Sequence, residues 1–319
     1  MILIATNERD ITSDYIVLEL QDLGIPHYRL NTETIPDSSI SFSPADGEGG
    51  WSLATESETI RFSDFKAGYY RRPEPPKISR AVIGEAEMQY CREEWQEALK
   101  AALSSLRDRW LNSPLAIFDA ENKPRQLSVA IQVGFDVPET LVTNSYEKAS
   151  EFLGQAPSIG KPLRTSLLAL KSGERAIFTT RLSGLSKTVS EAIEVAPIIF
   201  QREIPKRCDV RVTVVGQQAF AAEIHSQDNE ETLTDWRKGG HADLMHSTHE
   251  LPKEIVQKCI DITRFFQLKF SAIDLVLDRF GKYWFLEMNP NGQWAWIESR
   301  TGLPISKAIA NELVRISKQ

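Results

Sequence analysis

At 319 residues the chain is more than twice the roughly 150 residues of an average domain, so two or three compact units are expected. Its 41% hydrophobic and 25% charged residues exclude a disordered or low-complexity chain, and no apolar run reaches the roughly 18 residues of a membrane helix. The net charge of -7 lacks the basic excess that binding to a phosphate backbone requires, so neither nucleic acid nor membrane is an expected partner. Cys91, Cys208 and Cys259 are too few and too scattered for a disulfide framework, which points to a reducing, cytoplasmic setting. The apolar start at 2–5 runs straight into Asn7, Glu8, Arg9 and Asp10, too short for a signal peptide.

Residues 1–30 read as strand, helix, strand. A buried-type run at 1–6 is followed by Ile16, Leu20 and Leu23 at helical spacing until Gly24 and Pro26, then by a strand at 27–30. A dinucleotide-binding unit places glycines in the turn after its first strand. Here that turn, residues 6–10, has none, so the unit reads as scaffold. Short strands with a glycine turn at 47–50 are expected over 40–65. The prolines within 69–76 forbid a helix there. Arg71 and Arg72, held on that stiff segment, either grip a carboxylate or sit as ordinary surface charges. A long helix over about 79–110 closes the unit.

A second unit begins near 112–114, with a helix over 123–133, a strand at 137–142, another around Lys161, and a hairpin over 167–182 turning at Ser172 and Gly173. From Pro197 the chain is strand-rich, at 198–204, 210–215 and 219–224, the last two joined at Gly216 and Gln217. The polar stretch 226–250 is long for an ordered connection and reads as a mobile loop or lid. A helix over 252–266, a hairpin over 271–289 and an amphipathic helix over 305–317 complete the chain.

That hairpin is the most informative segment. Folded about a turn centred between 280 and 281, it sets Asp274 opposite Glu287, where paired Cβ atoms lie about 4.5–5.5 Å apart. Asn289, two residues on, shares their face. Ala272, Val276 and Phe285 are expected beside them, with Ile273, Leu275, Leu277, Leu286 and Met288 on the opposite face. Two carboxylates among apolar neighbours require a compensating cation or proton. Oxygen ligands without His or Cys suit Mg²⁺; the other reading is a solvated acidic face.

Asp274 with Glu287-Met288-Asn289 on a C-terminal hairpin resembles the metal signature of ATP-grasp enzymes, and further pieces precede it in order. Lys123 at a helix start and Lys161 on a strand resemble that family's two nucleotide lysines. Phe200-Gln201-Arg202-Glu203-Ile204-Pro205 resembles the linking strand whose backbone pairs with adenine, and Asp209-Val210-Arg211 resembles the family's D-x-R. The resemblance implies nucleotide binding by Gln201, Arg202, Glu203, Ile204 and Asp209. It also implies a catalytic Arg211 at the reacting phosphoryl group, with Arg237 and Lys206 as further candidates for that charge cluster. In one respect the chain departs from the pattern: where a glycine-rich phosphate loop is common, it offers the hydroxyls of Thr165 and Ser166.

With residues 70–73, Asn122, Gln126, Leu127, 212–216, Asp235-Trp236-Arg237 and 289–294 added, the whole chain resembles a peptide-modifying ATP-grasp ligase of the microviridin-maturase, or graspetide, group. That implies an α/β (α+β) fold: a pre-ATP-grasp domain at 1–112, a central ATP-grasp subdomain at 113–196 and a C-terminal subdomain with the metal hairpin at 197–319. Such enzymes phosphorylate Asp or Glu side chains of a ribosomal precursor peptide and join them to Thr or Ser hydroxyls, or Lys amines. The resemblance thus implies ATP and Mg²⁺, a precursor peptide with leader helix and core, and a homodimer. Arg71, Arg72 and the acidic Asp228, Glu230 and Glu231 are candidates to bind the peptide, the acids through a leader arginine. Two alternatives stay open: a ligase adding free amino acids to a protein or small molecule, and a non-catalytic nucleotide- or peptide-binding module. Cys208 reads as a packed thiol, and His241, His246 and His249 as exposed loop histidines rather than a zinc site.

Overall fold

The computed structural model describes residues 1–319 except 48, 80, 83, 165–166, 171–172 and 239–243, and for 167–170 and 173–175 it describes the backbone alone. The N-terminal part holds β1 (Ile2–Thr6), α1 (Ile11–Asp22), β2 (His27–Asn31), β3 (Ser39–Phe42), β4 (Trp51–Ala54), β5 (Thr59–Arg61), β6 (Ala67–Tyr70) and α2 (Glu85–Ser104). β1 lies between β2 and β6 in a parallel sheet, and β3, β4 and β5 form an antiparallel one. Leu3, Ala5, Phe62, Phe65, Leu103 and Trp110 bury the space between the sheets and α2. The helix expected over 79–110 is shorter, because it starts only after Gly84 and Arg107 adopts a left-handed φ of 50°.

Next come α3 (Pro114–Ala120), α4 (Lys123–Gln132), β7 (Thr140–Thr143), α5 (Tyr146–Leu153), β8 (Ser158–Lys161), β9 (Leu167–Leu170), β10 (Gly173–Ala176), β11 (Thr180–Leu182), α6 (Ser190–Glu194) and β12 (Ile198–Arg202). The antiparallel order β11-β8-β12-β7 makes one lobe of a cleft. β9 and β10 pair with each other, while β11 joins β8 instead of extending their hairpin; Ser172 of the expected turn lies outside the described residues.

The other lobe is the antiparallel sheet β15-β14-β13-β16-β17, built from β13 (Lys206–Val215), β14 (Gln218–Ile224), β15 (His246–Thr248), β16 (Phe270–Asp278) and β17 (Tyr283–Asn289), with α7 (Lys253–Phe265), α8 (Ala295–Thr301) and α9 (Ile305–Ser317). One face of this sheet packs Val210, Val212, Leu275 and Phe285 against Ile117, Leu127 and Ile260 of α3, α4 and α7. α9 buries Ile305, Ile309, Leu313 and Ile316, spaced along one helical stripe, in a core shared with Ile4, Tyr69, Val215 and Phe270. That core ties the N-terminal sheet to the cleft.

The polar stretch after β14 is packed where it is described, which corrects the expected loose lid. Ser226, Thr232 and Asp235 are buried, and Thr232 Oγ1 donates to the Ser226 carbonyl at 2.7 Å. Side-chain hydrogen bonds order this segment, so it carries no hydrophobic period to read. Among the described residues no helix is long and apolar enough to cross a membrane.

Candidate active site

β16 and β17 pair so that Asp274 faces Glu287 and Ala272 faces Asn289. Beyond Asp274 the register slips, Leu275 pairing with Phe285 and leaving Leu286 without an opposite residue. This bulge corrects the expected alternation. Phe285 turns into the core, its ring 5.5 Å from that of Phe135, and Leu286 lines the cleft together with Glu287.

Across from Asp274 on β13, Arg211 places Nη1 2.8 and 2.9 Å from the two carboxylate oxygens and donates from Nη2 to the Gln293 carbonyl at 3.1 Å. Its Nε is buried without a hydrogen-bond partner among the described residues. Gly292 makes room for this fork: a Cβ there would lie 2.8 Å from Arg211 Nη2 and 2.5 Å from the Ala272 Cβ. Lys123 opens α4, where the Asn122 side chain caps the Arg125 N–H and Pro124 suits the first turn. Its Nζ lies 3.0 Å from Glu287.

One turn further, Gln126 donates to the carbonyls of Ala120 (2.6 Å) and Met288 (2.7 Å) and accepts the Met288 N–H (2.9 Å). The side chain stands in for a strand neighbour along the edge of β17 and holds Lys123 in register with Glu287. Asn112 acts similarly, accepting the Lys269 and Phe270 N–H groups and donating to the Phe270 and Pro290 carbonyls.

The carboxylates are tuned apart. Burial alone would raise Glu287, but Lys123, Lys161 and Arg237 outweigh it and hold its pKa at about 2. Asp274 is pushed upward by burial and by the charge of Glu287, against the pull of Arg211. Asn289 Nδ2 stands 3.4 Å from Asp274. Lys161, half-buried on β8, has its ammonium disfavoured by burial, with Glu287 opposing, and makes no hydrogen bond or ion pair among the described residues.

Asp209 accepts from Lys206 Nζ (2.7 Å) and Ser226 Oγ (2.5 Å). Asp235 takes Nε and Nη2 of Arg237 at 2.8 Å each and the Thr179 N–H at 2.9 Å. Burial opposes its charge, yet these donors hold its pKa at about 2. Gln201 is buried and donates to Thr140 Oγ1, Glu203 pairs with Arg181, and Ile204 lines the cleft. The Arg202 side chain leaves the cleft, stacking 3.8 Å from the Phe152 ring and bonding Glu139 and Gln155, so it offers main chain there.

Of the expected peptide-binding residues, Arg71 is fully buried, its Nε 3.2 Å from Asp10 and its Nη1 3.0 Å from the Gly292 carbonyl. It therefore anchors the 291–292 loop, while Arg72 stays exposed. Asp228, Glu230 and Glu231 are exposed on short turns outside the cleft lining. Thr165, Ser166 and His241 lie outside the described residues.

The exposed-histidine expectation is corrected: the His246 ring packs 5.2 Å from Trp296, and His249 sits between Glu223 (3.1 Å) and Tyr283 (2.8 Å). Cys208 is buried, and burial followed by the charge of Glu223 pushes its thiol up to about 12. Among the described residues no group of three or more His, Cys, Asp or Glu could hold a metal; the hairpin set is two carboxylates and an amide.

Three positioning residues escaped the sequence reading. Gln126 belongs to a motif that assigns it no role, Asn112 marks only a boundary, and Asp10 reads only as part of the glycine-free turn at 6–10 before the first helix.

Two antiparallel sheets closing on one cleft, with Lys161 of one lobe and Lys123 of the helix packed on the other both presented to the carboxylates of the hairpin, define the ATP-grasp class. The chain belongs to the RimK-like ATP-grasp domain family, which matches residues 120–313, and residues 1–117 match the MvdD pre-ATP grasp domain. Among curated proteins it is similar to ribosomal protein bS6--L-glutamate ligase of Escherichia coli O139:H28 (24% identical over 199 residues) and to a probable alpha-L-glutamate ligase of Klebsiella pneumoniae strain 342 (25% over 199 residues). Each match covers 61% of this chain and spans only 64% of the relative.

Among solved structures it is similar to a RiPP-associated ATP-grasp ligase of Chryseobacterium gregarium in complex with ADP, and a leader and core peptide. The TM-score is 0.90 and the identity 26%, over 98% of this chain and 96% of that one. Macrocyclase MdnC of Microcystis aeruginosa MRC, bound with precursor peptide MdnA, gives a TM-score of 0.83 at 25% identity over 99% of both chains. Macrocyclase MdnB of the same source gives 0.79 at 29% identity over 98% of both.

Proposed function

We propose that this chain is an ATP-dependent macrocyclising ligase acting on a ribosomally made precursor peptide. The observation that carries this reading is the likeness to a ligase in complex with ADP, leader and core peptide, which spans 98% of the chain and so includes the N-terminal domain as well as the cleft. In the reaction, a side-chain carboxylate oxygen attacks the γ-phosphorus of ATP and ADP leaves. A hydroxyl or amine of the same peptide then attacks the acyl phosphate, loses its proton and expels phosphate, so each ring costs the peptide one water.

The donor set fits Mg²⁺, because Asp274 and Glu287 are paired face to face with Asn289 beside them and burial resists their joint ionisation. Held by these three residues, Mg²⁺ would neutralise the phosphates and template in-line transfer. Lys161, a desolvated cation without a hydrogen bond or ion pair among the described residues, receives phosphate oxygens, and Lys123 does so beside Glu287. The main chain of 202–204 serves adenine, and Asp209 faces the ribose or phosphates. Arg211 keeps Nη1 on Asp274 and has Nε left to stabilise charge on the transferring phosphoryl group. Arg237, fixed by Asp235, adds positive potential at Glu287 and Asp274. The exposed Asp228, Glu230 and Glu231 suit a basic segment of the leader.

Intact-mass measurement of a candidate precursor encoded beside this gene, incubated with protein, ATP and Mg²⁺, tests the reading. One water lost per ring, with ADP released, is the expected result. The matched glutamate ligases favour a second reading, addition of free amino acids. ADP release with free glutamate, and no mass change in the precursor, would replace the first reading with the second. We also propose a homodimer, which the family resemblance implies, and light scattering tests it.

A further inference from the structure

Residues 233–237, between β14 and β15, form part of the wall of the nucleotide cleft, together with Lys161 and Thr179 of the four-stranded lobe. Side-chain bonds fix this segment to its own lobe. Thr232 Oγ1 donates to the Ser226 carbonyl (2.7 Å), Ser226 Oγ to Asp209 on β13 (2.5 Å), and Lys206 Nζ to the Thr234 carbonyl (3.4 Å). The next residue reaches the other lobe. Asp235, only 4% exposed, accepts the Thr179 N–H on Oδ2 at 2.9 Å. Thr179 directly precedes β11, whose Thr180 pairs with Gly160, the neighbour of Lys161 on β8. The bond therefore joins the strands that carry one nucleotide lysine to the lobe that carries the metal hairpin.

The same carboxylate holds Arg237. Oδ1 accepts its Nε (2.8 Å) and its main-chain N–H (3.1 Å), and Oδ2 accepts Nη2 (2.8 Å). Oδ2 thus serves Thr179 of one lobe and the guanidinium of the other. Hydrogen bonds to an ionised carboxylate are roughly twice as strong as neutral ones, and in a buried network each donor polarises the next. If the lobes part, the Thr179 N–H leaves Oδ2, and the carboxylate loses the contact that opposes its rotation. The guanidinium forked on it then turns with it.

We propose that the Thr179 N–H and Asp235 form a clasp between the two lobes, which a bound nucleotide closes and which sets Arg237 in the wall of the cleft for phosphoryl transfer. Asp235 is then a positioning residue, acting through Arg237, and ADP leaves only as fast as the clasp opens. The role in phosphoryl transfer rests on the ligase reading above, whereas the clasp itself needs only a nucleotide in the cleft.

Hydrogen exchange at the Thr179 amide of the wild-type protein tests the closure directly, and saturating ADP with Mg²⁺ is expected to slow it at least tenfold. Thr179→Pro deletes this N–H and leaves the Asp235–Arg237 fork in place. The site tolerates proline, since it precedes the first residue of β11 and has no left-handed φ. The variant is expected to keep the unfolding midpoint, to release a fluorescent ADP analogue at least tenfold faster in stopped flow, and to form ADP at least tenfold more slowly in the first turnover with the candidate precursor. First-turnover rates separate this loss from the faster product release. Thr179→Ala keeps the N–H and is expected to release the analogue at the wild-type rate. Exchange that ADP leaves unchanged, or wild-type release from Thr179→Pro, would overturn the clasp. Faster release with a wild-type first turnover would overturn the positioning of Arg237. If the wild type leaves the precursor unmodified, the peptide reading falls, and the exchange and release measurements, which use ADP alone, still decide the clasp.

Discussion

Replacing Gln126 by leucine deletes three buried hydrogen bonds while nearly conserving side-chain volume. The Met288 N–H and the carbonyls of Met288 and Ala120 lose their partner. At about 1 kcal/mol net for each bond the cost is about 3 kcal/mol. That corresponds to a fall of about 4–5 °C in the unfolding midpoint of a chain this large. Turnover should suffer more than stability, since Gln126 aligns Lys123 on α4 with Glu287 on β17, and a shift of about 1 Å at a reacting centre costs about 10²-fold. Gln126→Glu should be no better, because its second oxygen would face two carbonyls. Thermal unfolding and ADP release, measured together, check both figures. If Gln126→Leu unfolds within about 1 °C of wild type and turns over normally, Gln126 does not hold this register.

Glu287→Gln removes a metal oxygen's charge and the partner of Lys123, so calorimetry should show ADP binding that Mg²⁺ no longer strengthens, with turnover down by about 10²-fold or more; chelation of Mg²⁺ from the wild type should reproduce the loss of affinity. Gly292→Ala pushes a Cβ into Ala272 and Arg211, and is expected to lower kcat and to destabilise by about 1–3 kcal/mol in chemical denaturation. Asp235 has a folded pKa of about 2, below its ordinary 3.8, so its contribution is complete above the unfolded value and is lost as pH falls through the folded one. The stability gap between wild type and Asp235→Asn should therefore be on the order of 2 kcal/mol near neutrality and shrink between about pH 4 and pH 2. A gap that stays constant down to the lower end would show that the Arg237 fork does not stabilise the folded state.

Much of the fold was legible because local rules suffice for it. The stripe of Ile305, Ile309, Leu313 and Ile316 marks α9, and the two-residue period with a turn near 280 sets Asp274 against Glu287. Caps at Ser113 and Ser145 also lay in plain view, although α3 and α5 were not anticipated. Less visible was the bulge at Leu286, since one extra residue inverts the alternation without altering composition. The histidines at 246 and 249 were misjudged because their partners, Trp296, Glu223 and Tyr283, are remote in sequence.

By itself the sequence determined which residue types gather in each segment: oxygen ligands on one hairpin, a lysine at a capped helix start, an arginine on the central strand. Tertiary structure alone decided which of them meet. Arg211 reaches Asp274 only through the register of β13 on β16, and Lys123 reaches Glu287 only because Gln126 bonds the edge of β17. Arg71 and Arg72, identical neighbours in the chain, part company when one is buried on Asp10 and the other is turned outward at a positive φ. Periodicity and turn chemistry act between residues close along the chain. Pairing of distant segments depends on burying their apolar faces together and closing the hydrogen bonds that burial leaves open.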